Sequence, residues 1–234
     1  MTGTARAGAA TIAALFPDGV VSVVASEAMW REPGAAAEEA CIARAVAKRQ
    51  REFRAGRACA RRALAALGVR DFALRAGPDR APIWPEGILG SISHCDDYCA
   101  AVATRRGPLR GLGLDVEPAE PLPEELREAV CSPSERDHLR SLPPAPAGDW
   151  PRLLFSAKES TYKCYYPLAG AILDFPDLEL RFDVPARRFV ARLVSDSAPS
   201  AQGARRFEGR FDCTDRHLFT AVALRAEGAP GDVG

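Results

Sequence analysis

Four prolines, Pro143, Pro144, Pro146 and Pro151, crowd between residues 141 and 151 and decide how the chain can be divided. Proline has no backbone N–H, so neither a helix interior nor a central strand crosses such a stretch. The segment reads as a surface connection and a hinge. It separates an expected N-terminal half, residues 1–140, from a C-terminal half, residues 152–226. The tail, 227–234, has no reason to be ordered. With 234 residues, 47% of them hydrophobic, the chain is long enough to bury a core.

Residues 35–67, rich in Ala, Glu, Lys and Arg, predict one long helix. Ile42, Val46, Phe53, Leu64 and Leu67 form its apolar stripe, and Gly68 is its terminating glycine. Gly56 inside it either weakens the helix or marks the close approach of another group. The run 70–87, with Gly77, Pro78, Pro82, Pro85 and Gly87, predicts an irregular loop. Strands are expected over 88–94, 98–104 and 111–117, turned at Asp96-Asp97 and Gly107-Pro108. Ser132, Pro133 and Glu135 carry the start signature of a short helix. Another helix is expected from about 156 to 166. The alternating stretches 178–182, 189–194, 207–211 and 218–224 predict an antiparallel meander. Both halves therefore combine helix with antiparallel strands, an α/β (α+β) chain.

The formal net charge is zero, so no global basic field recruits nucleic acid. No apolar run reaches the ~18 residues a membrane span requires, and the short run 9–16 has only the weak basic start and weak cleavage site that argue against a signal peptide. The seven cysteines are odd in number and scattered. They argue against a disulfide framework and for a reducing cytoplasm.

Asp115 and Glu117 lie two apart at a strand end and share one face. Adjacent carboxylates repel unless a cation or a proton sits between them. Solvation satisfies them, or a hard ion such as Mg²⁺ does. In the run Phe155-Ser156-Ala157-Lys158-Glu159-Ser160-Thr161-Tyr162-Lys163, Glu159 and Lys163 share a helical face. Ser156 with Glu159 has the pattern of a capping box, and Glu159–Lys163 is an ordinary i,i+4 pair; neither needs a function. Yet only three of the 31 basic residues are Lys, namely Lys48, Lys158 and Lys163, and two of them fall here. Compact ammonium groups near a helix N-terminus suit a phosphate.

His94 ends the strand Gly90-Ser91-Ile92-Ser93-His94. A serine hydrolase is a poor reading: Ser93 and His94 point to alternate faces and no G-x-S-x-G exists. His94, Cys95 and Cys99 suggest zinc but lack a fourth ligand at finger-like spacing. Lys48, Arg49, Arg51, Arg54, Arg57, Arg61 and Arg62 make either a solvated basic face or a set of phosphate-binding forks.

Taken in order, Gly113-Leu-Asp115-Val-Glu117 and, about forty residues on, Phe155-Ser-x-Lys158-Glu159-x-x-x-Lys163 resemble the paired signatures of the 4′-phosphopantetheinyl transferases. The Ser93-His94 strand, the motif Arg49-x-x-Glu52-Phe53-x-x-x-Arg57 and the loop Arg80-x-Pro82-x-Trp84-Pro85 fit the same family, in its enterobactin- and surfactin-synthetase-activating type. The resemblance runs from about residue 44 to 170. It implies a cytoplasmic monomer of two pseudo-symmetric halves, each an antiparallel sheet packed with a long helix, with coenzyme A between them. It implies Mg²⁺ on Asp115 and Glu117, with Glu159 as third ligand or general base. Lys158 and Lys163 would hold phosphates. Arg49, Arg57, Arg80 and His94, with Ser93 beside them, would hold the 3′-phosphate and pyrophosphate. Some relatives carry a basic residue before the loop glycine; Ala76 stands there instead, and Arg75 or Arg80 would substitute. The implied reaction moves phosphopantetheine from coenzyme A to a serine of an apo acyl, aryl or peptidyl carrier protein, releasing adenosine 3′,5′-bisphosphate, in secondary metabolism. The competing readings are an inactive coenzyme A- or carrier-binding module, and another Mg²⁺-dependent phosphoryl or nucleotidyl transferase. No G-x-x-x-x-G-K-[ST] loop supports the latter.

Overall fold

The computed structural model describes residues 2–226, so the expected tail, 227–234, lies outside the described residues. The chain opens with α1 (Thr2–Leu15) and the short strand β1 (Val21–Val24), neither of which the sequence pattern predicts. The single helix expected over 35–67 is instead two, α2 (Ala36–Glu39) and α3 (Ala47–Ala66). Long-range ion pairs explain the break. Arg54 donates to both carboxylate oxygens of Glu39, each at 2.7 Å, and Arg61 pairs with Glu38. On one straight helix Glu39 and Arg54 would stand about 22 Å apart. The chain must therefore fold back between residues 40 and 46, where Gln50 Nε2 donates to Ala45 O at 2.9 Å. Much of the basic stripe is thus committed to ion pairs within the fold.

Next come β2 (Ile88–Cys95), β3 (Tyr98–Arg105) and β4 (Leu109–Pro118), then α4 (Glu124–Val130) and α5 (Pro133–Ser141). Helix α6 (Trp150–Ala169) leads to β5 (Leu178–Asp183), β6 (Arg188–Leu193), β7 (Arg206–Cys213) and β8 (His217–Arg225). All pairing is antiparallel. One sheet has the order β1-β3-β2, the other β4-β8-β7-β6-β5. The long helix α3 packs on the first sheet and α6 on the second. Strand β4, although contiguous in sequence with β2 and β3, pairs with β8 and so carries Asp115 and Glu117 into the second sheet.

The α5 start forms as read: Ser132 Oγ accepts from Glu135 N at 3.2 Å, and Glu135 Oε2 accepts from Ser132 N at 2.9 Å. Helix α6 starts earlier than expected. Asp149 is its N-cap, accepting from Arg152 N at 2.8 Å, and Pro151 sits in the first turn, where a missing N–H costs nothing. The Ser156–Glu159 capping box therefore does not exist. Ser156 is buried mid-helix, sharing a 2.9 Å hydrogen bond with Thr220 on β8. The helix ends at Gly170, whose φ of 64° is the left-handed conformation that favours glycine.

Candidate active site

Two glycines and two serines build the seam between the sheets. A Cβ at Gly113 would lie 1.8 Å from Ser160 O, so this position of β4 must be glycine for α6 to rest on the strand. A Cβ at Gly56 would meet Ile92 Cγ2 at 2.9 Å, which settles that glycine as a close approach of α3 to β2. Strand β2 then meets the free edge of β4 through side chains. Ser91 Oγ accepts from Leu114 N at 3.0 Å and Ser93 Oγ from Val116 N at 3.1 Å. Serines two apart share a face, so the pair replaces two rungs of a backbone ladder and brings the sheets together at Asp115.

Over this seam lies a cleft of about 900 Å³, reached by α3, the loop 77–84, β2, β4 and α6. Its lining includes Arg49, Arg57, Arg80, Ser93, His94, Asp115, Glu117, Glu159 and Lys163, every site residue expected from the sequence except Lys158. Asp115 is buried; its Oδ1 accepts from Ser93 Oγ at 2.9 Å and from Lys163 Nζ at 2.6 Å. Lys163 also donates to Ser93 Oγ at 3.1 Å. Asp115 Oδ2 is buried with no hydrogen-bond partner among the described residues. Two residues on, burial and then the neighbouring Asp115 push the Glu117 carboxyl up to about 7, while Arg152, 2.8 Å away, pulls the other way. Burial also raises Glu159, against the pull of Lys163.

The oxygen donors fit a hard cation. A buried carboxylate oxygen without a partner is costly. A second, half-buried carboxyl driven toward neutrality beside it marks a place where a positive charge is missing. Mg²⁺ takes such oxygens and leaves positions for phosphate and water. Asp115 and Glu117 are the residues that would hold it, with Glu159 in the same cleft.

In the same cleft Arg49 Nη1 donates to His94 Nε2 at 2.6 Å. Guanidinium has no acceptor, so Nε2 presents its lone pair and the ring is neutral. Burial lowers the His94 pKa in the same direction, with Glu52 opposing. Arg57 is buried, its guanidinium 4.1 Å from the Phe53 ring centroid and its Nε donating to Leu74 O at 2.7 Å. Burial pulls it down to about 10. A buried cation so destabilised gains from any anion that enters.

Lys158 requires correction. Its ammonium is 1% exposed and donates to Val130 O at 2.8 Å, Glu135 Oε2 at 2.9 Å and Phe175 O at 2.9 Å. Burial lowers its pKa, with Glu135 opposing. All its protons are used in the core, and none is left for a phosphate. Five residues turn a helix by about 140°, whereas the four from Glu159 to Lys163 turn it by only about 40°. Lys158 and Lys163 could not both face the cleft. Sequence reasoning also missed Arg152, Tyr162, Tyr166 and Asp79. Tyr166 Oη donates to Asp79 Oδ2 at 2.6 Å and ties the loop 77–84 to α6. Arg152, beside Pro151 in the first turn of α6, gave no signal of its own; it acts through a partner 35 residues away.

Residues 37–104 match the 4′-phosphopantetheinyl transferase N-terminal domain, and residues 111–215 match the 4′-phosphopantetheinyl transferase superfamily. The chain is 44% identical over 192 residues to 4′-phosphopantetheinyl transferase Svp of Streptomyces mobaraensis, covering 81% of this chain and 78% of that one. It is 37% identical over 222 residues to 4′-phosphopantetheinyl transferase PptT of Mycobacterium tuberculosis, covering 91% and 97%. Enterobactin synthase component D of Salmonella typhimurium is 40% identical over 121 residues, about half of each chain.

Proposed function

The chain belongs to the 4′-phosphopantetheinyl transferase superfamily, and from that premise we propose how its own residues carry the reaction. It transfers the 4′-phosphopantetheine group of coenzyme A to a carrier protein. The observation that carries the mechanistic reading is the orphaned Oδ2 of Asp115, buried beside Glu117. Asp115 and Glu117 would hold Mg²⁺, with Glu159 as third ligand or as base. When bound, the ion would supply positive charge against the pyrophosphate. Lys163, held by Asp115 and Ser93, directs its ammonium at the same phosphates.

Arg49, Arg57 and Arg80 bind the outlying phosphates, with His94 as a neutral hydrogen-bonding ring and Ser93 positioning Lys163 and Asp115. The carrier's serine hydroxyl attacks the phosphorus that bears pantetheine, and adenosine 3′,5′-bisphosphate leaves. Such a displacement needs positioning and charge neutralisation more than covalent catalysis. Glu159, its pKa raised by burial, is suited to take the serine proton directly or through water. The acceptor is an acyl, aryl or peptidyl carrier domain, and the enzyme acts as a cytoplasmic monomer. Its seven free thiols support that compartment. Among the described residues no helix is long and apolar enough to cross a membrane.

Mass spectrometry of a panel of apo carrier proteins, incubated with the enzyme, coenzyme A and Mg²⁺, tests this reading. The expected product is a carrier heavier by one phosphopantetheine, lost when a chelator replaces Mg²⁺. No mass gain on any carrier identifies a binding module, and a nucleotide adduct identifies a nucleotidyl transferase. Transfer undiminished by the chelator removes the metal from the proposal.

A further inference from the structure

Glu117 also borders a second cavity, about 640 Å³, lined in part by Cys95, Asp97 and His217. One ligand atom from each of these three residues lies within 4.8 Å of the other two. Two come from one short stretch, the last residue of β2 and the β2–β3 turn, and the third is the first residue of β8, 120 residues on from Asp97. We propose that Cys95, Asp97 and His217 form a second cation site, built for a borderline-soft divalent transition ion, with Zn²⁺ as the first candidate.

The donor set carries the choice of ion. Thiolate, imidazole and carboxylate together suit zinc, whereas Mg²⁺ takes oxygen ligands. The pair Asp115 and Glu117 offers oxygen alone, so the two sites select different ions. Three protein ligands leave a fourth tetrahedral position, and the cavity supplies room there for water.

The ligands are already oriented. The His217 ring packs against Tyr98 at 4.8 Å and Phe219 at 6.1 Å between centroids, and its Nε2 stands 2.9 Å from Asp97 Oδ1. Asp97 Oδ2 is held by Arg216, which turns Oδ1 toward the ring. A bound ion would take the place of the His217–Asp97 hydrogen bond. Without one, burial and then Asp97 push the Cys95 thiol up to about 12, which argues against a nucleophilic or redox role. On binding, the Cys95 S–H proton passes to solvent as the sulfur–metal bond forms, with no change of oxidation state. The site would tie the β2–β3 turn of one sheet to the start of β8 in the other. His217 is paired with Pro118, the residue after Glu117, so the clamp would brace the end of the strand that carries Asp115 and Glu117.

Co²⁺ added to chelator-treated full-length protein is the spectroscopic probe, with Zn²⁺ as competitor. The expected result is a thiolate-to-cobalt charge-transfer band that saturates at one equivalent and that Zn²⁺ abolishes. Cys95→Ser should lose the band and bind Co²⁺ at least ~10-fold more weakly, since even residues that only orient a ligand are worth about that much. Absence of the band overturns the site. So does a band that persists in Cys95→Ser, because the thiolate would then be another cysteine. A second measurement serves should Cys95→Ser fold poorly: alkylation of Cys95 in the unmodified protein, located by peptide mass, should slow when Zn²⁺ is added. An unchanged rate at Cys95 overturns the proposal independently.

Discussion

Lys158 and Lys163 stand on one helix, five residues apart, and the two faces of α6 use them in opposite ways. On the core face, Lys158 gives its protons to two carbonyls and to Glu135 and is 1% exposed. On the cleft face, Lys163 makes two hydrogen bonds, to Asp115 and Ser93, and its side chain is 27% exposed. Both pair with a carboxylate. The first pair is closed; the second stands in a cleft, with Asp115 Oδ2 left over. The difference teaches that capacity to bind lies in donors and acceptors left unused, and that a buried ion pair with every bond made is architecture.

The largest expected effect attacks the closed pair. Lys158→Met should destabilise the protein by about 3–5 kcal/mol, because Glu135 is left charged and unpaired in the core. Adding Glu135→Leu should recover much of that loss in chemical denaturation. Were Lys158 a phosphate ligand after all, the single variant would keep its stability and show a raised KM for coenzyme A.

Asp115→Ala attacks the open pair and should reverse the pattern. Turnover should fall on the order of 10²–10³-fold, as for loss of one preorganised electrostatic contact, while the circular dichroism spectrum and melting temperature stay near the parent's. An active Asp115→Ala would mean that the orphan oxygen has no metal to hold.

Lys163→Arg keeps the charge and changes its shape. The planar fork is bulkier than an ammonium and should misplace the contact to Asp115 and the phosphates. A loss of about 10–100-fold in kcat is expected, in line with small misplacements at a reacting centre. A near-normal rate would show that the cleft needs only a cation there.

The smallest effect sharpens the comparison at a distance from the chemistry. Arg57 is buried like Lys158, yet it borders the cleft, and among the described residues its guanidinium donates to a carbonyl, Leu74 O, rather than to a carboxylate. Arg57→Ala should lose most of the preference for coenzyme A over 3′-dephospho-coenzyme A, a factor of about 10 for one charged hydrogen bond, chiefly in KM. If the preference survives and KM for the carrier rises instead, Arg57 serves the protein partner.

What could be read without the fold was local. Turn signals at Asp96-Asp97 and Gly107-Pro108 bounded β2, β3 and β4, alternation by two located the meander β5–β8, and strand geometry put Asp115 and Glu117 on one face. The Ser132–Glu135 box marked the start of α5. The order and spacing of the motifs pointed to the family. Each of these depends on neighbours within a turn or along a strand, where covalent geometry dictates which side chains meet. Contacts across the chain were decided elsewhere. The helix over 35–67 broke because Glu38 and Glu39 found arginines on α3. Lys158 turned to the core, where it meets Glu135, 23 residues away. Arg152 met Glu117 across 35 residues and Arg49 met His94 across 45. Such pairings follow from how two sheets and two long helices pack, since a charge moved out of water goes where a partner and a low-dielectric wall are jointly available. The sequence by itself determined the elements and the chemistry they could carry; the tertiary structure alone decided which lysine became part of the core and which was left facing the cleft.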